Sequence, residues 1–193
     1  ICRSGDLRLA LAALPTDLTR NGVALVGYSL GGNMLLKFLG EGAAPEVVAA
    51  AAVSAPIDLA EAAAALTLPS NRIYQTWLLA RMREEAFAGA IAADQRHAIT
   101  SARTVVEFDD RYVAPRNGFA SGADYYARSS AAPFLSLIQV PTLVIQATND
   151  PWIPMAAYDR IAWTSNPALT LLLGAGGHVG FHGKGSPVAW HDR

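Results

Sequence analysis

Apolar positions along the chain change their spacing several times, and each change marks an element. Residues 23–26 (Val-Ala-Leu-Val) form a continuous apolar run of the kind found in a strand buried on both faces. Met34, Leu35, Phe38 and Leu39 then recur at helical spacing, so the period passes from 2 to 3.6 across Ser29. Upstream, residues 6–14 are rich in helix formers and stop at Pro15. Residues 47–53 are rich in alanine, yet their length and the flanking Pro45 and Pro56 favour a buried strand. Residues 141–147 and 168–173 repeat the buried-strand pattern, with a helix expected over 155–163. Strands alternating with helices predict an α/β fold with a mostly parallel sheet.

Between residues 57 and 133 the pattern differs. A long amphipathic helix is expected over 70–88, with Ile73, Trp77, Leu78, Met82 and Phe87 on one side and Arg81, Arg83, Glu84 and Glu85 elsewhere. Shorter helices are expected over 101–108 and 121–130, separated by Pro115, Asn117 and Gly118. Nothing in this stretch reads as a strand of the main sheet. The expected organisation is therefore a core from residues 1–56, a helical insertion over 57–133, and a return to the core over 134–193. Such an insertion reads either as a cap over an active site or as a helical subdomain that only packs.

Composition narrows the class. With 193 residues, 52% apolar and 16% charged, the chain can bury one domain's core and is not of the disordered kind. A net charge of −1, with basic residues dispersed, gives no electrostatic reason to expect nucleic acid or an anionic membrane as partner. The single cysteine, Cys2, excludes an internal disulfide and agrees with a reducing compartment, so a cytoplasmic location is expected. No run of 18 apolar residues predicts a membrane span. No cofactor-binding motif and no metal site is expected. His178 and His182 lie four apart, but Gly180 separates them and no acidic partner is near in sequence.

The chemistry starts at Gly27-Tyr28-Ser29-Leu30-Gly31, a G-x-S-x-G pattern between strand and helix. A strand that becomes a helix within one or two residues needs a strained corner, where Gly27 and Gly31 are expected to remove colliding side chains. Serine at its ordinary pKa is a poor nucleophile and needs a base and an orienting acid. In open α/β sheets ligands gather at the carboxyl ends of strands, so the partners are sought there. Asp150 follows the strand over 141–147, and His178 follows the strand over 168–173 in a glycine-rich loop. Each also has a plainer reading: Asn149-Asp150-Pro151 is a strong turn signal, and His178 would serve equally as a loop histidine. His97 and His191 read as surface residues. The chain order Ser29, Asp150, His178 is the order of α/β-hydrolase triads. The mechanism this predicts has His178 as base, Asp150 holding its tautomer, and the backbone N–H of Leu30 plus one N–H from an earlier loop meeting the oxyanion.

Taken together, Gly27–Leu35, Val53-Ser54-Ala55-Pro56, Glu107-Phe108-Asp109-Asp110 with Gly118-Phe119 and Asp124-Tyr125-Tyr126, Asp150-Pro151-Trp152 and Gly176–Phe181 resemble the YheT-like branch of the α/β-hydrolases. The resemblance implies a serine hydrolase acting on small-molecule acyl esters, with some branches transferring the acyl group to an alcohol. It implies two acids at the acid loop, whereas this chain has Asn149 before Asp150. It also implies several strands and a His-Gly oxyanion loop before the elbow. Only Arg3–Leu7 remains of these, resembling the segment just before the pre-elbow helix, and the chain ends at Trp190-His191-Asp192-Arg193, about where a closing helix would begin. A piece of a longer hydrolase is expected, with an apolar sheet edge left beside the elbow. The alternatives left open are alcohol acyl transfer on the same residues and a non-catalytic remnant.

Overall fold

Strands β1 (Val23–Tyr28), β2 (Val47–Val53), β3 (Thr142–Ala147) and β4 (Leu169–Gly174) lie side by side in that order, every pair parallel. The structure is a computed structural model, and it describes residues 4–182, 188 and 189. Cys2, Arg3, and the terminal residues 190–193 that include His191 lie outside the described residues. Parallel neighbours cannot be joined by a tight hairpin, so each connection must cross over. Helix Leu30–Gly40 makes the crossing from β1 to β2, and helix Met155–Asp159 lies in the crossing from β3 to β4. Those four strands confirm the α/β reading. The described residues divide into two compact units: one runs up to Asp58 and resumes at Ser129, and the other is Leu59–Arg128.

In the first unit the central strands behave as the apolar runs predict. β3 buries five of its six residues, and β2 buries Val47, Ala50, Ala52 and Val53. β1 departs from expectation. Only Gly27 is buried, while Val26 is 60% and Tyr28 43% exposed. Among the described residues β1 pairs with β2 alone, so it forms a sheet edge, and its apolar run is not covered on both faces. The helix Leu30–Gly40 is buried along most of its length and is tied to the chain returning from the second unit. Asn33 Nδ2 donates to the Ser129 carbonyl at 2.9 Å, and Asn33 Oδ1 accepts from Ala131 N–H at 2.8 Å. Both polar ends of a fully buried side chain are thereby satisfied. The expected helix over 155–163 is shorter than its pattern: it ends at Asp159, and a 3₁₀ turn follows at Trp163–Ser165.

The second unit holds helices Leu59–Leu66, Arg72–Phe87, Ala93–Ser101, Val105–Phe108 and Ala114–Arg116, a π turn at Asp109–Val113, and most of Gly122–Ser129. The long helix forms where its spacing predicts, but its buried face is only partly the expected one: Leu78 and Met82 are half-buried, while the rest of the stripe is exposed. Ile73 is 88% and Trp77 54% exposed, whereas Leu79 is buried. The cause is polar. The expected helix over 101–108 is interrupted, which leaves helix-end carbonyls and an N–H to satisfy. Arg83 donates to the carbonyls of Ile99 (3.2 Å) and Ala102, and Gln75 Oε1 accepts from Val105 N–H at 3.4 Å. Binding those groups turns Gln75 and Arg83 inward and Ile73 and Trp77 outward. Thr104 caps the new helix by accepting from Glu107 N–H at 3.1 Å.

Asp109, at the start of the π turn, is 7% exposed and accepts from the Tyr126 hydroxyl at 2.7 Å. Burial pushes its carboxyl up to about 6 from the ordinary 3.8, against the opposing pull of the Tyr126 hydrogen bond. Because the folded value lies above the unfolded one, the contribution to stability is fully present below about 3.8 and is lost as pH rises through about 6. Asp109→Asn is therefore expected to be more stable than wild type at pH 8, by about 3 kcal/mol as an order of magnitude, and to match it near pH 4. Thermal midpoints followed by circular dichroism from pH 4 to 8 test this; a wild-type-minus-variant difference that does not change with pH would refute it. No helix among the described residues is long and apolar enough to cross a membrane.

Candidate active site

Ser29 stands at the corner between β1 and the helix Leu30–Gly40, with φ 49° and ψ −123°. A positive φ is costly for a residue with a Cβ and persists only where the surroundings enforce it. They do so from both sides. Ser29 N–H continues the parallel ladder by donating to the Val53 carbonyl at 2.8 Å, while the Ser29 carbonyl accepts from Gly32 N–H (2.9 Å) and Asn33 N–H (3.2 Å). Gly27 permits the tight corner: a Cβ there would sit 2.6 Å from the Gly31 carbonyl oxygen. The expectation for Gly31 is corrected, since a Cβ at Gly31 would meet nothing within 4 Å. The second crowded glycine is Gly32, whose Cβ would lie 3.0 Å from both the Ala55 Cβ and the Gly27 carbonyl oxygen. Leu30 is the first residue of the helix.

Asp150 lies three residues past the end of β3. Its Oδ1 accepts from Trp152 N–H at 2.9 Å and from Ile153 N–H at 3.1 Å, so the turn that the Asn-Asp-Pro sequence signals also aims the carboxylate. Asp150 Oδ2 is 2.9 Å from His178 Nδ1, and His178 Nε2 is 2.9 Å from Ser29 Oγ. The side chain of Asp150 is fully buried and that of His178 only 7% exposed. An ionised carboxylate only accepts, so Nδ1 carries the imidazole proton and Nε2 is left to accept from the Ser29 hydroxyl. The Trp152 ring lies against the imidazole, with centroids 4.5 Å apart and planes tilted by 54°. All four residues belong to the first unit.

Two residues near these groups, named in the sequence only as parts of motifs, make contacts that the motifs do not assign. Asn149 Oδ1 accepts from Gly176 N–H (2.9 Å) and Gly177 N–H (3.0 Å), joining the loop after β3 to the loop after β4. Ser54, fully buried at the end of β2 with φ 49°, accepts from Val179 N–H at 3.3 Å. The signal for Ser54 was its place directly after a strand; for Asn149 it was a polar residue beside Asp150. Neither position says which loop amide it meets. Tyr158 anchors the neighbourhood by donating its hydroxyl to the Ala55 carbonyl at 2.7 Å, and burial pushes its phenol well above the ordinary tyrosine value. His182 forms an isolated antiparallel bridge with Ala189. Among the described residues no group of three His, Cys, Asp or Glu side chains converges to hold a metal.

A family model described as the alpha/beta hydrolase fold matches residues 17–184, which is most of the chain. The chain belongs to the alpha/beta hydrolase fold family. Within that family it is 37% identical over 83% of its length to the "Putative esterase YheT" of Escherichia coli, covering 49% of that protein. It is 30% identical over 80% of its length to the "Phospholipase ABHD3" of Mus musculus, covering 39% of that protein. Among solved structures, an alpha/beta fold family hydrolase from Bacillus anthracis superposes with a TM-score of 0.51 at 18% identity, covering 91% of this chain and 67% of that one. The chain thus spans about half, or less, of the curated relatives it matches. As expected of an alpha/beta hydrolase fold, the serine, acid and histidine stand at the carboxyl ends of different parallel strands.

Proposed function

We propose that this chain carries the catalytic serine, histidine and aspartate of a hydrolase that cleaves carboxylic acyl esters. One observation carries the reading: a continuous hydrogen-bonded chain, Ser29 Oγ to His178 Nε2 and His178 Nδ1 to Asp150 Oδ2, each link 2.9 Å long. In the reaction His178 takes the Ser29 proton as Oγ attacks the ester carbonyl. The alkoxide oxygen of the tetrahedral intermediate is met by the backbone N–H of Leu30, at the start of the helix, and by one further N–H. Collapse expels the alcohol, which takes the proton from His178, and leaves the acyl group on Ser29. Water then attacks the acyl-enzyme with His178 again as base. Asp150 stays ionised throughout and stabilises the imidazolium.

The names of the YheT and phospholipase relatives support an ester as the substrate. The helical unit Leu59–Arg128 enters the chain after β2 and leaves it before β3, which supports assigning it the part of a cap. The test is covalent. A fluorophosphonate probe is expected to label Ser29 as Oγ attacks phosphorus and fluoride leaves, with one equivalent bound per chain. Ser29→Ala is expected to take up none, and labelling that persists in that variant would end the proposal.

A further inference from the structure

The loop that carries His178 is held under strain. Gly177 has φ 60°, a conformation that favours glycine, but Val179 has φ 52° and Phe181 φ 42°, where L side chains are disfavoured. Phe181 is fully buried in a cluster with Val53, Ile145 and Ala147, which fixes the loop's far end. The strain on either side of His178 requires local restraints, and the backbone ladder supplies few. Phe181 N–H donates to the Gly176 carbonyl at 3.2 Å, a bond internal to the loop. Among the described residues, side chains from two other strand ends hold its amides from outside. Asn149, just past β3, accepts from the Gly176 and Gly177 amides immediately before His178. Ser54, just past β2, accepts from the Val179 amide immediately after it. Ser54 itself sits at φ 49° while fully buried, so this backbone is bent in a way that places an acceptor under the loop.

We infer that Asn149 and Ser54 are a pair of positioning residues that clamp the backbone on both sides of His178 and so keep its imidazole in line between Ser29 and Asp150. The inference rests on the proposed Ser29–His178–Asp150 chemistry. Neither residue touches the reacting atoms. Each acts by accepting from loop amides, so what matters at position 149 is an acceptor oxygen, which aspartate supplies as well as asparagine. A displacement of the imidazole by an ångström or less is enough to lower the rate of proton transfer without altering how the probe is bound.

The test measures fluorophosphonate labelling of the full-length protein against probe concentration, giving a maximal rate and a half-saturating concentration. All measurements are made well below the thermal midpoint of each variant. Asn149→Ala and Ser54→Ala are each expected to lower the maximal rate on the order of 10- to 100-fold and to leave the half-saturating concentration within about twofold. Asn149→Asp is expected to label within about threefold of wild type, because both amides keep their acceptor. A residue that only stabilises the fold would lower the thermal midpoint and leave the maximal rate unchanged. Wild-type maximal rates in both alanine variants, or a fall in Asn149→Asp as deep as in Asn149→Ala, would overturn the clamp while the triad stands. Should Asn149→Ala not fold, Ser54→Ala carries the same comparison alone. A wild-type protein that takes up no label would remove the triad, and the clamp with it.

Discussion

His178→Ala is expected to lower kcat for hydrolysis of a p-nitrophenyl acyl ester by about 10⁴- to 10⁶-fold, with the far-ultraviolet circular dichroism spectrum unchanged. In the proposed reaction His178 both takes the proton from Ser29 Oγ and is held by Asp150, so its loss breaks both 2.9 Å links at once. Without it Ser29 is an ordinary alcohol. The imidazole lies in a loop outside the apolar cluster that holds Phe181. Asp150→Asn is expected to cost about 10⁴-fold by a different route. Oδ1 would still accept from the Trp152 and Ile153 amides, so the new amide NH₂ takes the place of Oδ2 and faces Nδ1. Imidazole would then have to accept at Nδ1 and carry its proton on Nε2, the tautomer that cannot take a proton from serine. A His178→Ala enzyme within tenfold of wild type would show that another base acts and would refute the mechanism.

The largest expected effect on folding is at Gly27. Gly27→Ala is expected to destabilise the protein by about 3 kcal/mol, the upper end for forcing a methyl group into filled space. For a chain of this size that lowers the thermal midpoint by roughly 6–12 °C. The obstacle is backbone: the added Cβ would lie 2.6 Å from the Gly31 carbonyl oxygen and 2.9 Å from its carbon, in the first turn of the helix that follows Ser29. A flexible side chain could swing aside; a helical carbonyl moves only if the corner opens, and the corner is what holds Ser29 at φ 49°. Gly31→Ala is the control. A Cβ there meets nothing within 4 Å, and alanine is favoured over glycine in a helix by about 1 kcal/mol, so this variant is expected to be at least as stable as wild type. Equal midpoints for the two variants would refute the assignment of crowding to Gly27.

The elements of the sheet could be read from the chain because local patterns specify them. Continuous apolar runs between prolines and glycines marked β2, β3 and β4 within a residue or two, and the shift of period across Ser29 marked the strand-to-helix corner. Chain order and strand ends likewise singled out Ser29, Asp150 and His178 as residues to be brought together. What the sequence by itself could not decide was anything that depends on a partner distant in the chain. Whether the run at β1 is covered depends on which strands pair with it, and among the described residues it has one neighbour. Which face of Arg72–Phe87 turns inward goes with the bonds Arg83 makes to helix-end carbonyls near residue 100, and Ile73 and Trp77 of the apolar stripe are left exposed. The crowding at Gly27 and its absence at Gly31 follow from where one helical carbonyl lies. The acceptors from Asn149 and Ser54 to the loop around His178 are bonds across 27 or more residues, fixed by how strand ends align. Periodicity is a property of neighbours in sequence, so it determines elements and their order. Distances between side chains of different elements arise only when those elements pack.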